Sequence, residues 1–181
     1  VDQHPSFTVD ELIEVLDMEL EDYPYYDATR VYAGGFSMGS DKTWNLGLKY
    51  WNRFAGIFPN ALGMFASSEE IEAACAAGGP LPTFYIAGGL SVMELGSSAF
   101  TQTALKNLWP MNDLPGIYEY NAELGEWGMK SDSLRSISYL LDDGSEQELV
   151  IDAFKSKDGN TYTWLAVNKN RAHIVTPNDL P

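Results

Sequence analysis

Apolar residues recur every three or four positions over residues 9–20 and predict an amphipathic helix whose other face is acidic. Thr8 and Glu11 have the spacing of a capping box, which starts such helices. A short run rich in β-forming residues over 30–36 predicts a strand. The apolar positions of residues 38–55 return to helical spacing, so a second helix is predicted directly after that strand.

The alternation of strand-like and helical segments continues to residue 168. Further strands are predicted over 55–59, 82–89, 148–155 and 161–168, and further helices over 68–77 and 100–109. The last two strands flank Lys157-Asp158-Gly159-Asn160, whose Asp-Gly pair is typical of a hairpin. The pattern predicts an α/β fold with a mostly parallel sheet flanked by helices and a late antiparallel pair. A chain of 181 residues most simply forms one domain, here residues 1–181.

The segment Gly35-Phe36-Ser37-Met38-Gly39 fits the pattern G-x-S-x-G, in which a serine nucleophile lies on a strained turn, the elbow. The predicted strand before it and helix after it are the context that this pattern requires. Gly35 and Gly39 would let the strand and the helix approach closely. The helix N-terminus would direct its free N–H groups, including that of Met38, toward an oxyanion.

Several segments around the elbow carry a resemblance to a known family. They are Arg30-Val31-Tyr32, the elbow at 35–39, Thr43-Trp44 and the run over 49–57. With them the chain resembles the α/β-hydrolase serine esterases of the feruloyl esterase and polyhydroxybutyrate depolymerase group, which includes sequences labelled predicted peptidases. In that group an R-V-Y strand runs into G-x-S-M-G-G, a T-W follows, and Y-P-x-x-F-A-x-I leads to the next strand. The resemblance is dense over residues 8–65 and loose afterwards.

The resemblance implies a catalytic triad in the chain order serine, acid, histidine. Ser37 would be the nucleophile, which needs a base within hydrogen-bonding reach and a carboxylate that orients the base. The chain has two histidines, and His4 precedes the serine. His173 follows the last predicted strand, where the family carries its catalytic histidine, so His173 is the predicted base. The N–H of Met38 would be one donor of the oxyanion hole.

The acid of the triad has more than one candidate. The family's carboxylate follows a strand in a pattern like H-G-x-x-D, and alignment on Gly88 places Ser91 where the aspartate belongs. Glu94 is the nearest carboxylate downstream and is the predicted acid, since glutamate has this role in some α/β-hydrolases. Asp113 is a more distant alternative. If neither serves, a Ser–His dyad would retain weakened activity.

The resemblance further implies that the chain represents the C-terminal part of a hydrolase domain. A complete α/β-hydrolase has several strands before the elbow, and one of their loops supplies a second oxyanion-hole N–H. Here one predicted helix precedes the elbow strand. We therefore expect a sheet that lacks its N-terminal strands. We also expect association with a missing N-terminal segment or another subunit, which would cover the exposed sheet edge.

Charge and apolar content narrow the classes of partner. The chain has 11 basic and 26 acidic residues, a net charge of −15, which disfavours nucleic acid as a partner. The sequence has no apolar run long enough to span a bilayer, and its start, VDQHPSFTVDEL, lacks the features of a signal peptide. No membrane association is expected, and the compartment is left open.

Neither a metal nor an organic cofactor is expected. Cys75 is the only cysteine, which excludes an internal disulfide and a thiolate cluster, and no histidine lies near it in sequence as a partner for catalysis. The glycines at 34, 35 and 39 do not form the dinucleotide pattern G-x-G-x-x-G. Residues 142–144 and 158–160 indicate turns rather than calcium loops, since neither continues as an EF-hand.

The predicted function is hydrolysis of carboxylic esters. The resemblance implies small or polysaccharide-linked feruloyl or acetyl esters, or short hydroxyalkanoate polyesters. Two alternatives stay open. One is a non-catalytic binding module with a degraded site, suggested by Ser91 and by the expected lack of the N-terminal strands. The other is a serine peptidase, suggested only by family labels. Trp44, Trp109 and Trp127 would line an aromatic or sugar-binding cleft or, as large aromatic residues more often do, pack in the core.

Overall fold

The computed structural model describes residues 7–77, 82–88, 92–107, 118–123, 126–129, 135–155, 162–169 and 173. The helices in these ranges are α1 (Val9–Asp22), α2 (Met38–Lys49), α3 (Ser68–Ala77) and α4 (Val92–Asn107). The strands are β1 (Tyr32–Phe36), β2 (Gly56–Asn60), β3 (Thr83–Gly88), β4 (Tyr118–Asn121), β5 (Glu126–Met129), β6 (Arg135–Leu140), β7 (Glu146–Lys155) and β8 (Tyr162–Asn168). Short 3-10 turns lie at Ala28–Arg30 and Trp51–Arg53.

Six of these strands form one sheet in the order β1-β2-β3-β8-β7-β6, and β4 and β5 form a separate antiparallel pair. β1, β2, β3 and β8 run parallel, whereas β8 with β7 and β7 with β6 are antiparallel. The predicted α/β fold is therefore confirmed at this level: a mixed, mostly parallel sheet with helices and a late antiparallel pair. The predicted turn at 157–160 lies outside the described residues.

The core lies mainly between this sheet and its helices. The larger cluster is formed by Trp44, Leu48, Ile57, Met64, Ala66, Ile71, Ala74, Tyr85, Ala87, Ala99, Val150, Leu165 and Val167. Residues that alternate with these along the strands form a second cluster of Ile86, Leu149, Ile151 and Ala166. Because successive strand residues point to opposite faces, the middle of the sheet is buried on both sides.

The helix start at α1 is as predicted. The Thr8 hydroxyl accepts the Glu11 N–H at 3.2 Å, and the Glu11 carboxylate accepts the Thr8 N–H at 2.6 Å, which completes the capping box. Asp10 pairs with Lys49 of α2 at 2.6 Å. Both side chains are more than half exposed, so solvent screening leaves this pair only a small part in holding α1 against α2.

Two predicted helix bounds are wrong, and tertiary contacts explain both. α2 ends at Lys49 instead of continuing to Ala55, because the Ala55 N–H bonds the Val31 carbonyl at 2.7 Å and leads into β2. α4 begins at Val92 rather than at Phe100. Its first turns bury small polar residues: Ser97 accepts the Gly63 N–H at 3.1 Å, and Ser98 hydrogen-bonds Tyr85. Such buried serines conceal the amphipathic pattern on which helix prediction depends.

The predictions of α3 and of the turn at 142–144 are confirmed. In the turn, Gly144 has φ 81° and the Asp143 carboxylate accepts the Ser145 N–H at 2.9 Å, so the turn joins β6 to β7. β4, β5 and β6 were not predicted from the sequence, although Ser136-Ile137-Ser138-Tyr139 has the alternation of a strand. Within the described ranges, no helix is both long and apolar enough to cross a bilayer.

Candidate active site

Three residues predicted to form the site converge on one edge of the sheet. β1 ends directly before Ser37, and β3 and β8 end at Gly88 and Asn168, which pair with each other. Glu94 lies in the first turn of α4, after β3, and His173 lies shortly after β8. Since β1, β3 and β8 are parallel, their carboxyl ends share this edge, where open α/β sheets bind ligands.

Ser37 lies on a sharp turn between β1 and α2. Its backbone has φ 56° and ψ −116°, a conformation that L-residues rarely adopt. Its N–H donates to the Asn60 carbonyl at 2.9 Å, and its own carbonyl accepts the Ser40 N–H at 2.8 Å. These bonds hold a conformation whose strain is about 1–3 kcal/mol. The predicted strand, turn and helix around the serine are therefore present.

The two glycines of the motif differ in their surroundings. A Cβ added at Gly35 would overlap the backbone carbonyl of Gly39, so β1 and α2 approach too closely there for any side chain. A Cβ added at Gly39 would meet nothing within 4 Å. The packing role predicted for both glycines therefore holds for Gly35 and is wrong for Gly39, whose missing side chain leaves open space beside the elbow.

A continuous hydrogen-bonded chain joins the three residues. The Ser37 Oγ lies 2.9 Å from Nε2 of His173, and Nδ1 of His173 lies 2.6 Å from Oε1 of Glu94. A carboxylate beside Nδ1 favours the tautomer with its proton on that nitrogen, which leaves the lone pair of Nε2 for the serine hydroxyl. This is the mutual geometry of nucleophile, base and orienting group.

The Glu94 carboxyl is fully buried, with 0% exposure, whereas 37% of the His173 side chain is exposed. Oε2 of Glu94 accepts the Gly88 N–H at 2.5 Å, so the end of β3 fixes the second carboxylate oxygen. Burial raises the pKa of Glu94 above its ordinary value, and the hydrogen bonds from Gly88 and His173 oppose that shift in part. The two hydrogen bonds therefore fix the position of the Glu94 carboxyl, and burial disfavours its ionised form.

Two contributors to this site do not emerge from the sequence predictions. The ring of Phe36 lies beside the imidazole of His173, with centroids 5.5 Å apart and planes at 39°. The Gly88 N–H anchors Glu94. Phe36 occupies a variable position of G-x-S-x-G, and a backbone N–H has no sequence signature, so the motif alone indicates neither.

A cleft of about 670 Å³ opens beside the elbow. It is lined by Phe7, Leu12, Gly34, Met38, Gly39, Asp41, Lys42, Thr43, Leu46, Leu62 and Phe65. Most of these side chains are apolar, and Met38 and Phe65 are 81% and 59% exposed. Another cleft, of about 620 Å³, lies between α1, α2 and α3 and includes none of residues 34–39 in its lining.

The remaining candidate residues lie elsewhere. Trp44 is a core residue, 1% exposed, and its Nε1 donates to the Leu62 carbonyl at 3.3 Å. Trp127 is on β5 and Cys75 is on α3. The alternative acid Asp113, the second histidine His4, and Ser91 and Trp109 fall outside the described residues. Among the residues that the structure describes, no group of three or more His, Cys, Asp or Glu is placed to hold a metal ion.

Comparison with known proteins gives no assignment. No protein-family model matches the chain, and no curated protein is significantly similar to it in sequence. Function must therefore be inferred from the motif and from the geometry of the site.

We predict opposite effects of alanine at the two motif glycines. Gly35→Ala should lower the free energy of unfolding by about 3 kcal/mol or more, because its Cβ would overlap the Gly39 carbonyl. Gly39→Ala should be neutral or stabilise by up to about 1 kcal/mol, since alanine favours the first turn of α2. Urea denaturation of both variants measures the difference. Equal stability of the two would contradict the close approach at Gly35.

The strain at Ser37 predicts an order of stability. Ser37→Gly should unfold with a free energy about 1 kcal/mol higher than Ser37→Ala, because relief of positive φ exceeds the entropic penalty of glycine. At Ser138, on strand β6, the same pair should show the reverse order. Urea denaturation checks both pairs, and a more stable Ser37→Ala would exclude strain at the elbow.

The buried carboxyl predicts a dependence of stability on pH. Since burial raises the pKa of Glu94, the folded protein binds its proton more tightly than the unfolded chain does. The stability that this protonation contributes is complete below the unfolded pKa, about 4.3, and is lost as pH rises through the folded pKa. Glu94→Gln lacks this loss, so its stability relative to wild type should increase as pH rises above the unfolded pKa of about 4.3.

Urea denaturation at several pH values measures this difference. Glu14→Gln, at an exposed position of α1, is the matched control and should show no such trend relative to wild type. A Glu94→Gln curve parallel to wild type over the whole range would contradict the raised pKa.

Proposed function

We propose that the protein is a serine hydrolase of the α/β-hydrolase type that cleaves carboxylic esters through Ser37, Glu94 and His173. The observation that carries the proposal is the unbroken hydrogen-bonded chain from the Ser37 hydroxyl through the imidazole to a buried carboxyl. The strained serine at the end of a parallel strand supports the hydrolase type of fold.

In the acylation step, the Ser37 Oγ attacks the ester carbonyl while Nε2 of His173 removes the hydroxyl proton. Glu94 accepts the hydrogen bond of the Nδ1–H and stabilises the imidazolium that forms. The tetrahedral intermediate then expels the alcohol, which takes the proton from Nε2. The ester is thereby converted to a free alcohol and an acyl group on Ser37.

In the deacylation step, water attacks the acyl-serine ester while Nε2 of His173 removes one of its protons. Collapse of the second intermediate releases the carboxylic acid and returns the proton to the Ser37 Oγ. The net reaction consumes one ester and one water and produces one acid and one alcohol. It requires no metal and no redox cofactor, in keeping with the residues assigned to it.

The N–H of Met38, the first residue of α2, is the proposed donor to the oxyanion in both steps. An oxyanion hole of this type uses a second N–H from a loop before the elbow strand. We propose that a segment outside the described residues, or another subunit, supplies it. One such donor is worth about 10²–10³ in rate.

None of the three proposed triad residues is in the lining of the cleft beside the elbow. An apolar group that extends from the reacting ester into this cleft would contact aromatic and aliphatic side chains such as Met38, Leu62 and Phe65. Small or polysaccharide-linked feruloyl and acetyl esters and short hydroxyalkanoate polyesters all carry a neutral acyl group. The net charge of −15 favours neutral over anionic esters.

The complete hydrogen-bonded chain supports an enzyme over a binding module with a degraded site. Positive φ at Ser37 and a carboxyl buried against His173 both cost free energy, so neither is expected to persist in a degraded site. The peptidase alternative uses the same residues and differs only in the bond that is cleaved.

A fluorophosphonate probe, with the labelled residue identified by mass spectrometry, tests the proposal. Label is expected at Ser37 and should be absent in Ser37→Ala. His173→Ala should slow labelling by roughly 10⁴–10⁶-fold and Glu94→Gln by roughly 10³–10⁴-fold, as losses of base and orienting group do in other triads. His4→Ala, at the only other histidine, is the matched control and should label at the wild-type rate.

A folded wild-type protein that resists the probe would exclude the hydrolase proposal and favour the binding module. Hydrolysis of p-nitrophenyl acetate but not of an acetylated amino-acid p-nitroanilide would support ester over amide cleavage. Faster cleavage of the anilide would favour the peptidase.

A further inference from the structure

We propose that Phe36 is a positioning residue that holds the imidazole of His173 in the orientation needed for proton transfer. This inference rests on the proposed function, in which His173 is the base. Phe36 would act through His173 and would not itself contact the reacting atoms.

The hydrogen bonds of His173 leave one motion of its ring unrestrained. The partners of Nε2 and Nδ1, Ser37 at 2.9 Å and Glu94 at 2.6 Å, both lie at the ring's edge. Two such contacts fix the ring along the line that joins them but permit it to tilt about that line. The bond from the ring to Cβ restrains this tilt in part, and a side chain packed beside the imidazole restrains it further.

Phe36 packs beside the imidazole. Its ring centroid lies 5.5 Å from that of His173, within the usual range for interacting aromatic rings, and the planes are inclined by 39°. Because Phe36 is the last residue of β1 and directly precedes Ser37, the strand that positions the proposed nucleophile also positions this contact.

Burial in the core does not explain an aromatic residue at this position. Phe36 is 44% exposed and belongs to neither of the two core clusters. The His173 side chain is 37% exposed, and the solvent on its exposed side does not restrain the ring. Contact with the imidazole is the specific interaction that the structure gives Phe36.

An aromatic ring also suits the charge that His173 acquires. The ring faces of aromatic residues attract cations, and the imidazole becomes an imidazolium as it removes the serine proton. The contact is therefore stronger in the transition state than before reaction. Such an interaction at an exposed site corresponds to about a 2–5-fold effect on rate, in addition to that of orientation.

The test compares kcat and KM for p-nitrophenyl acetate, and fluorophosphonate labelling rates, in Phe36 variants. Phe36→Leu keeps an apolar side chain without the ring and should lower kcat and the labelling rate by roughly 5–30-fold with KM within about 2-fold. Phe36→Tyr restores the ring and should return both rates to within about 2-fold of wild type. Phe36→Ile, which suits a strand, replaces the leucine variant if that one does not fold.

The matched control is Phe58→Leu. Phe58 is 51% exposed on β2 and contacts Tyr32 and Phe84 rather than His173. Its replacement should leave kcat unchanged. Wild-type kcat in Phe36→Leu, or equal losses in Phe36→Leu and Phe36→Tyr, would overturn the inference.

Proton NMR of the His173 Nδ1–H separates this inference from the proposed function. The hydrogen bond to Glu94 should give a downfield resonance, which Phe36→Leu should broaden or shift and Phe58→Leu should not. If wild type is not labelled by the probe, the hydrolase proposal fails whatever this spectrum shows. If wild type is labelled but neither spectrum nor kcat responds to Phe36→Leu, only the role of Phe36 fails.

Discussion

The hydrogen bonds of one buried carboxyl connect the parts of the chain on which the site depends. Glu94 accepts the backbone N–H of Gly88 with one oxygen and faces Nδ1 of His173 with the other. A carboxyl removed from water is tolerated only where hydrogen bonds compensate for the lost hydration. The same two bonds that make burial of Glu94 possible also fix the imidazole relative to β3. The stability of the buried carboxyl and the orientation of the imidazole therefore depend on the same hydrogen bonds.

The pairing of the sheet strands also fixes the geometry of the site. β3 lies between β2 and β8, and the Asn60 carbonyl at the end of β2 accepts the N–H of Ser37. Ser37 directly follows β1 and is hydrogen-bonded to the end of β2, and Glu94 is hydrogen-bonded to the end of β3. The three parallel strands therefore fix the positions of these two residues. The positive φ of Ser37 is maintained by this framework and by the approach of Gly35 to Gly39. Local strain persists because the surrounding structure determines it from several directions.

Local sequence patterns predicted most of the helices and strands, and failed where contacts between distant residues decide the bounds of an element. The capping box at Thr8 and the bounds of α3 follow from local patterns, and they are correct. The end of α2 was not predictable from its own residues, because the Ala55 N–H donates to the carbonyl of Val31, directly before β1. α4 begins early because its buried serines bond β3 and the segment after β2, which helical periodicity does not reveal. The predicted serine, histidine and glutamate are brought together, whereas nothing in the motif marked Phe36 as a neighbour of the imidazole.

The central position of β8 has a consequence for how the molecule reaches its final state. Ser37 and His173 are 136 positions apart, and the strand that leads to His173 is inserted between β3 and β7 although it is the last described strand in chain order. Closing so long a loop is a late and entropically unfavourable event in folding. A partly folded chain that contains β1, α2 and β3 thus has Ser37 on its strained turn without the imidazole of His173 beside it. The proposed activation of Ser37 therefore depends on the placement of β8, the last of the described strands in chain order.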